Sequence, residues 1–180
     1  MVNSDEFWKD RFSFYTKSAL NCAVKVIQAI PGMPSKVTEE EVKKFLESKL
    51  NMQLATLDPD GNPIIQPVWF YHDTESGKLY TGTQKQSRKV RNLRENPDKI
   101  YFSIDEETFP YKGVKGRGEA RIIEDIQRNV SIIEKTNLKY LGTQDHPLAK
   151  MLLDNARSGV EVVIEISPKF FSAWDFAKAA

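Results

Sequence analysis

Cysteine is almost absent from this chain. Cys22 stands alone, which excludes an intrachain disulfide and a cysteine-rich zinc site. Histidine is nearly as scarce: His72 and His146 lie far apart without ligand-like spacing, so turn or solvent roles are expected of both and no metal site is predicted. No long hydrophobic run occurs. The stretch from Ala19 to Ile30 is interrupted by Asn21, Lys25 and Gln28, too short and too polar to span a bilayer. The opening Met1-Val2-Asn3-Ser4-Asp5-Glu6 lacks the basic segment of a secretory signal, so a cytoplasmic location is expected. Neither sign of charge dominates. Lys and Arg number 26 against 25 Asp and Glu, a net charge of +1, which argues against a whole surface built to grip nucleic acid or membrane but permits a local basic patch. What remains is 180 residues, 40% hydrophobic and 28% charged: one domain with arms, large enough to bury a core without a metal or disulfide staple.

The patterning predicts its elements. Residues 5–30 read as an irregular helical arm, rich in aromatics at Phe7, Trp8, Phe12, Phe14 and Tyr15 and ended by Pro31-Gly32-Met33-Pro34; such an arm is expected to pack across a subunit interface or to shield a sheet. Thr38-Glu39-Glu40-Glu41 is a capping box, and Val42, Phe45, Leu46 and Leu50 follow at helical spacing. Strand patterns over Met52–Leu57, Ile64–Tyr71 and Lys78–Thr83, separated by turns at Asp58–Asn62 and Asp73–Gly77, predict an antiparallel meander. Ser87–Glu95 switches to helical period, with Val90 and Leu93 on one face and Arg88, Lys89, Arg91 and Arg94 elsewhere. Lys99–Asp105 and Tyr111–Glu124 return to strand, the second punctuated by Gly113, Gly116 and Gly118, where a bulge, a barrel corner or a closely approaching ligand is expected. Residues 126–158 read as helix with a break near Gly142–Pro147, and Val160–Ile166 as a last buried strand. Evenly spaced antiparallel strands with few helices predict a mainly β, closed or half-closed barrel.

One stretch carries chemistry: Leu79-Tyr80-Thr81-Gly82-Thr83-Gln84-Lys85-Gln86-Ser87-Arg88-Lys89. A strand ends in small and hydroxylated residues, and a helix then begins with two adjacent cations. A helix start offers unpaired amides and a partial positive charge, Ser87 a hydroxyl, Arg88 a two-pronged grip on oxygen and Lys89 a point charge. The reading is a phosphate socket; its rival is a solvated basic helix face.

Tyr80-Thr81 followed by Ser87-Arg88-Lys89 resembles the FMN-phosphate motif of the pyridoxamine 5′-phosphate oxidase family, with two extra residues between its halves. Gly61–Tyr71 looks like the family strand beneath the flavin ring, but Gln66 and Tyr71 stand where the oxidases carry an arginine and a lysine. The Pro67-Val68-Trp69-Phe70 variant is closer to the wider group of FMN-binding split-barrel proteins, which includes binders of the deazaflavin coenzyme F420. Tyr111–Ala120 resembles the long strand whose start, here Lys112 and Gly113, faces the cofactor in relatives. Ile166-Ser167-Pro168 through Trp174 resembles the final strand and the tail tryptophan that touches FMN from the second subunit. The resemblance covers about residues 38–174 and implies an antiparallel split β-barrel with flanking helices. It divides the chain into an arm (1–37), the barrel (38–167) and a tail (168–180).

It further implies an FMN-dependent oxidoreductase that moves hydride through the flavin to or from an unknown small molecule, working as a homodimer with the cofactor at the subunit interface. Thr83, Ser87, Arg88 and Lys89 with Tyr80 and Thr81 would hold the phosphate, Gln66 and the backbone of Pro67–Trp69 the ring, and Lys112, Gly113 and Trp174 its far side. The Arg- and His-bearing tail that holds the vitamin phosphate in the oxidases has no counterpart in Asp175–Ala180, so oxidation of pyridoxamine phosphate is not expected. No catalytic acid or base presents itself; Tyr71 and Lys112 are the only candidates. Three alternatives stay open. Lys85, Arg88, Lys89, Arg91 and Arg94, with Lys112, Lys115 and Arg117, supply more cations than one phosphate needs and would suit the oligoglutamate tail of F420. The same cleft would serve a non-catalytic flavin or haem store, with His72 as a conceivable haem ligand. The basic helix, with Tyr80 or Tyr101 as a stacking platform, would serve RNA.

Overall fold

The computed structural model describes residues 24–32 and 35–178; the aromatic part of the predicted arm lies outside them. The described end of the arm differs from expectation. Val26–Gln28 is not helix but a short strand, β1, parallel to the last strand with Val26 opposite Phe171. Hydrogen bonds from Phe171 N to the Lys25 carbonyl and from Ala29 N to the Ala173 carbonyl extend that pairing. Val24 and Val26 pack against the core, so β-branched side chains with an open strand beside them took the extended form.

Helix α1 (Glu39–Leu46) begins at the predicted capping box: the Thr38 hydroxyl accepts from Glu41 N, and the Glu41 carboxylate accepts from Thr38 N at 2.8 Å. It buries Val42 and Leu46. Strands β2 (Met52–Leu57), β3 (Pro63–Val68), β4 (Tyr71–Asp73) and β5 (Lys78–Gln84) lead to helix α2 (Arg88–Glu95). Strands β6 (Ile100–Asp105) and β7 (Lys112–Ile123) follow, then helices α3 (Ile126–Leu141) and α4 (Pro147–Arg157), strand β8 (Glu161–Asp175) and a 3-10 turn at Phe176–Lys178. The break between α3 and α4 falls where Gly142 and Pro147 place it, and His146 has the bland role expected of it, its Nδ1 capping α4 at Leu148 N.

Both antiparallel pairings of the predicted meander form, β2 with β3 and β4 with β5, but its middle strand is split at Trp69-Phe70. The strand order is β3-β2-β6-β7-β8-β5-β4, so β3 and β4 occupy opposite ends of the path although only Trp69 and Phe70 separate them in sequence. Two residues cannot cross a flat seven-strand sheet, so the sheet must curl until its ends are neighbours. That is the split barrel, joined by chain rather than by a ladder at the β3/β4 corner. Tyr140 of α3 pins the corner: its ring stacks on Trp69 at 4.7 Å, and its hydroxyl accepts from Phe70 N and donates to the Leu50 carbonyl at 2.8 Å. The hydrophobic interior holds Leu46, Met52, Leu54, Phe70, Ile104 and Ile166.

A second departure concerns the tail. Residues 168–175 are not a tail but the second half of β8, paired with β7 out to Lys112 opposite Asp175. A register shift between Arg117 and Gly118 accommodates Pro168; there a Cβ on Gly118 would lie 2.5 Å from the Ser167 carbonyl oxygen, so the bulge requires glycine. No helix among the described residues is long and apolar enough to cross a membrane.

Candidate functional site

Strand β5 delivers Thr83 to the start of α2, and three predicted residues meet there. Lys89 Nζ donates to the Thr83 hydroxyl at 3.1 Å, and that hydroxyl donates to Ser87 Oγ at 3.2 Å. Ser87 is the N-cap of α2, yet its side chain makes no capping bond, so the amides of the first turn have no side-chain partner among the described residues and keep their pull on an anion. Lys89 is not on the solvent face with its neighbours. It is half-buried, one turn before Asn92, whose side-chain amide donates to buried Thr56 Oγ1 at 3.0 Å and fixes the helix on β2. Arg88 stands beside this group, exposed and without an ion pair among the described residues.

The electrostatics are specific to this corner. Burial holds the Lys89 amine below the ordinary lysine range, and the Glu161 carboxylate opposes that shift. Glu161, 6% exposed and lying against Gly82, is pushed above the ordinary carboxyl range by its own burial, with Lys89 opposing. No carboxylate ion-pairs with Lys89 among the described residues. A half-buried cation, two hydroxyls and an uncapped helix start form a set of donors without an acceptor of matching charge, and a phosphate monoester fits them.

The other predicted residues fall into separate groups. Thr81 is fully buried, its hydroxyl turned to the Gly82 carbonyl. Tyr80 points to the opposite face of β5, packed among Ile123, Ile132 and Ile133; at 6% exposure it offers no platform for RNA bases. Gln66–Trp69 lie on or just beyond edge strand β3, whose outer backbone groups have no ladder partner among the described residues. Gln66 carries a buried Oε1 with no partner among the described residues, Pro67 is exposed, Val68 packs against the core, and the Trp69 ring is taken by Tyr140. Lys112, 3.9 Å from Glu106, Gly113 and Trp174 gather at the other end of β8. Trp174 stands opposite Gly113 and its indole occupies the space a Cβ there would need. Thr83 pairs with Val162, so the two clusters of one chain are separated by about 40 Å of strand.

Several residues that shape the site were not singled out from sequence. Glu124 takes Lys85 and Arg94 on its two oxygens, each at 2.7 Å. Glu161 was signalled only as an acidic residue inside an apolar run, and Asn92 only as a polar residue between Val90 and Leu93.

His72 is not set in the socket. It is 6% exposed, edge-on to Phe171 at 6.5 Å, and its Nδ1 is buried without a partner among the described residues. Burial draws it down to about 4, with Lys139 and Lys43 adding to the shift and Asp73 opposing it. Its unfolded value lies near ~6.5, so below that pH the unfolded chain takes up the proton first. Stability should therefore be complete above about pH 6.5 and fall by about 3 kcal/mol as pH drops to 4. Urea unfolding across that range checks it: His72→Leu should flatten the acid limb, and an unchanged limb would remove His72 from the account. No cluster of His, Cys, Asp or Glu suited to a metal occurs among the described residues.

Comparison with known proteins places this geometry. The family described as pyridoxamine 5′-phosphate oxidase matches residues 38–174. Among solved structures, the conserved hypothetical protein Rv2991 from Mycobacterium tuberculosis is 26% identical, with a TM-score of 0.68 over 79% of this chain and 88% of that one. A structure described as an F420 reductase is 30% identical, with a TM-score of 0.55 over 72% of this chain and 94% of that one. HutZ, described as a heme storage protein from Vibrio cholerae, is 19% identical with a TM-score of 0.58, covering 76% and 93%, and shares the fold. A search of curated proteins returns no match.

Proposed function

The chain belongs to the pyridoxamine 5′-phosphate oxidase family, and from that premise we propose that it is an FMN-dependent oxidoreductase acting on a small molecule. The observation that carries the reading is the Thr83–Ser87–Lys89 cluster at the uncapped start of α2. In this reading the phosphate of FMN lies among these three residues, and Arg88 closes over it from the exposed side. The edge of β3 and the Gln66 Oε1, both without a partner among the described residues, present backbone and amide groups to the polar rim of the ring. Bound flavin supplies the hydride chemistry. The chain's own part is to anchor, orient and keep water from one face. FMN precedes F420 because Glu124 already neutralises Lys85 and Arg94, leaving Arg88, Lys89 and Arg91 of the five cations. The F420 reductase at 30% identity favours the deazaflavin as the second reading.

The site is read as shared between two copies. Trp174 and Gly113 are too far along β8 to reach the socket of their own chain, so a cofactor held there would meet Trp174 of the partner subunit. A groove of about 420 Å³ on the outer sheet face, lined by Ala55, Ile65, Tyr101, Phe102 and Phe170, leaves Ile65 64% and Tyr101 49% exposed. An apolar face of this kind suits a second copy. Mass spectrometry of the cofactor released from purified protein tests the proposal. FMN supports it, F420 selects the second reading, and release of neither overturns both. Reductive bleaching of the bound cofactor followed by reoxidation with an added acceptor then separates an enzyme from a store.

A further inference from the structure

A pocket of about 380 Å³ opens between the C-terminal end of α1, strand β4 and the last turns of α3. It shares no residue with the flavin site proposed above. Lys49, Lys135 and Lys139 line it against one carboxylate, Glu47. Lys139 is its centre. Its Nζ donates to the Leu46 carbonyl at 2.9 Å and lies 3.4 Å from the centroid of the Phe70 ring. An ammonium has three N–H donors; the carbonyl takes one, the ring face another, and the third has no acceptor among the described residues. The Leu46 carbonyl belongs to the last turn of α1, so Lys139 caps that helix, but a carbonyl dipole does not cancel a full charge held in a half-buried position. Lys135 lies over the Tyr71 ring at 5.1 Å, also without an ion pair among the described residues.

We propose that this pocket binds a small organic carboxylate, its oxygens on the third N–H of Lys139 between Lys49 and Lys135, its apolar body on Tyr71 and Leu138. Carboxylate is preferred to phosphate for two reasons. No arginine fork lines the pocket, and both helix ends there are C-terminal, which disfavours a second negative charge. The apolar wall of Tyr71 and Leu138 asks for a ligand with more than a charged head.

Binding should depend on pH. Burial holds Lys139 down to about 7, with Glu47 opposing the shift. The groups around it are Glu47, the C-cap of α1, Lys49 from the following loop, Tyr71, His72 and Asp73 from β4, and Lys135 and Tyr140 from α3. His72, neutral above about 4, contributes no charge near neutrality. An anion favours the charged amine, so affinity is full below pH 7 and should fall by about tenfold per pH unit above it.

Calorimetric titration of the full chain with benzoate, and separately with inorganic phosphate, tests this at pH 6.5 and 8.5. Benzoate should saturate in the millimolar range, weaken at the higher pH, be lost in Lys139→Met and be unchanged in Lys89→Met. Phosphate should respond to Lys89→Met alone. The proposal is overturned by benzoate that does not saturate by about 50 mM, by benzoate binding that survives Lys139→Met, or by phosphate binding that depends on Lys139. Should Lys139→Met not fold, the wild-type chain still decides: benzoate should slow acetylation of Lys139, read by peptide mass spectrometry, and no slowing overturns the site.

Discussion

Replacing Lys89 with methionine is expected to raise the dissociation constant for FMN by about 100-fold, a loss near the upper end for a hydrogen bond to a charged group. It should not destabilise the cofactor-free protein. The reason lies in what the amine does in each state. Without ligand it is half-buried, hydrogen-bonded to one neutral hydroxyl, Thr83 Oγ1 at 3.1 Å, and its burial outweighs the attraction of the nearby Glu161 carboxylate, so the charge it carries is disfavoured. With a phosphate in the socket the same charge acquires its counter-ion in partly desolvated surroundings, where salt screens little. Methionine removes both the penalty and the partner. Quenching of flavin fluorescence measures the first half and a thermal melt of the apo protein the second. A variant that binds FMN within threefold of wild type would remove the socket from the functional account. Loss of binding with a large fall in melting temperature would instead make Lys89 a structural residue. Thr83→Val should give a smaller loss in the same assay, since it removes a neutral hydroxyl and leaves the charge.

The second large effect is at Gly113. A Cβ built there would run into the Trp174 ring and lie 2.9 Å from the Ile104 carbonyl oxygen. The ring can swing away; the backbone oxygen in the β6–β7 ladder cannot. Gly113→Val should therefore cost about 3 kcal/mol, at the upper end for overpacking, and turn the Trp174 indole off the strand. Urea unfolding reads the cost, and Trp174 emission, with Trp69 replaced by phenylalanine as background, reads the displacement. If the partner subunit's Trp174 covers the cofactor, the variant should also weaken FMN retention with the socket intact. Unchanged stability and unchanged emission would show that the indole does not rest on Gly113.

The elements legible in the sequence were those with a local cause. The capping box at Thr38 and Glu41 formed as read because its two hydrogen bonds join residues three apart. The helix pair at residues 126–158 broke at Gly142, whose φ is +76°, a conformation glycine adopts without strain. Thr83, Ser87 and Lys89 converged because they sit within seven residues around one strand-to-helix turn. The misreadings had a distant cause. Nothing near Val26 announces that β8 lies alongside it, and nothing in Ile64–Thr83 announces that Trp69-Phe70 spans the two ends of a curled sheet. The orientation of Lys89 was hidden for the same reason: a run of cations at residues 88–94 looks solvated until Asn92 reaches Thr56 from another strand.

By itself the sequence determined strands β2, β5, β6 and β7, the turns, the hydroxyl-then-cation order of the socket and the lack of cysteine for any staple, since each follows from side-chain chemistry over a few neighbouring positions. Only the tertiary structure decided that β8 runs on through Trp174, that Glu124 spans Lys85 and Arg94, and that Tyr80 faces away from Thr83. Those outcomes depend on which strand lies next to which, and register between distant segments is set by the burial of whole faces rather than by any local pattern.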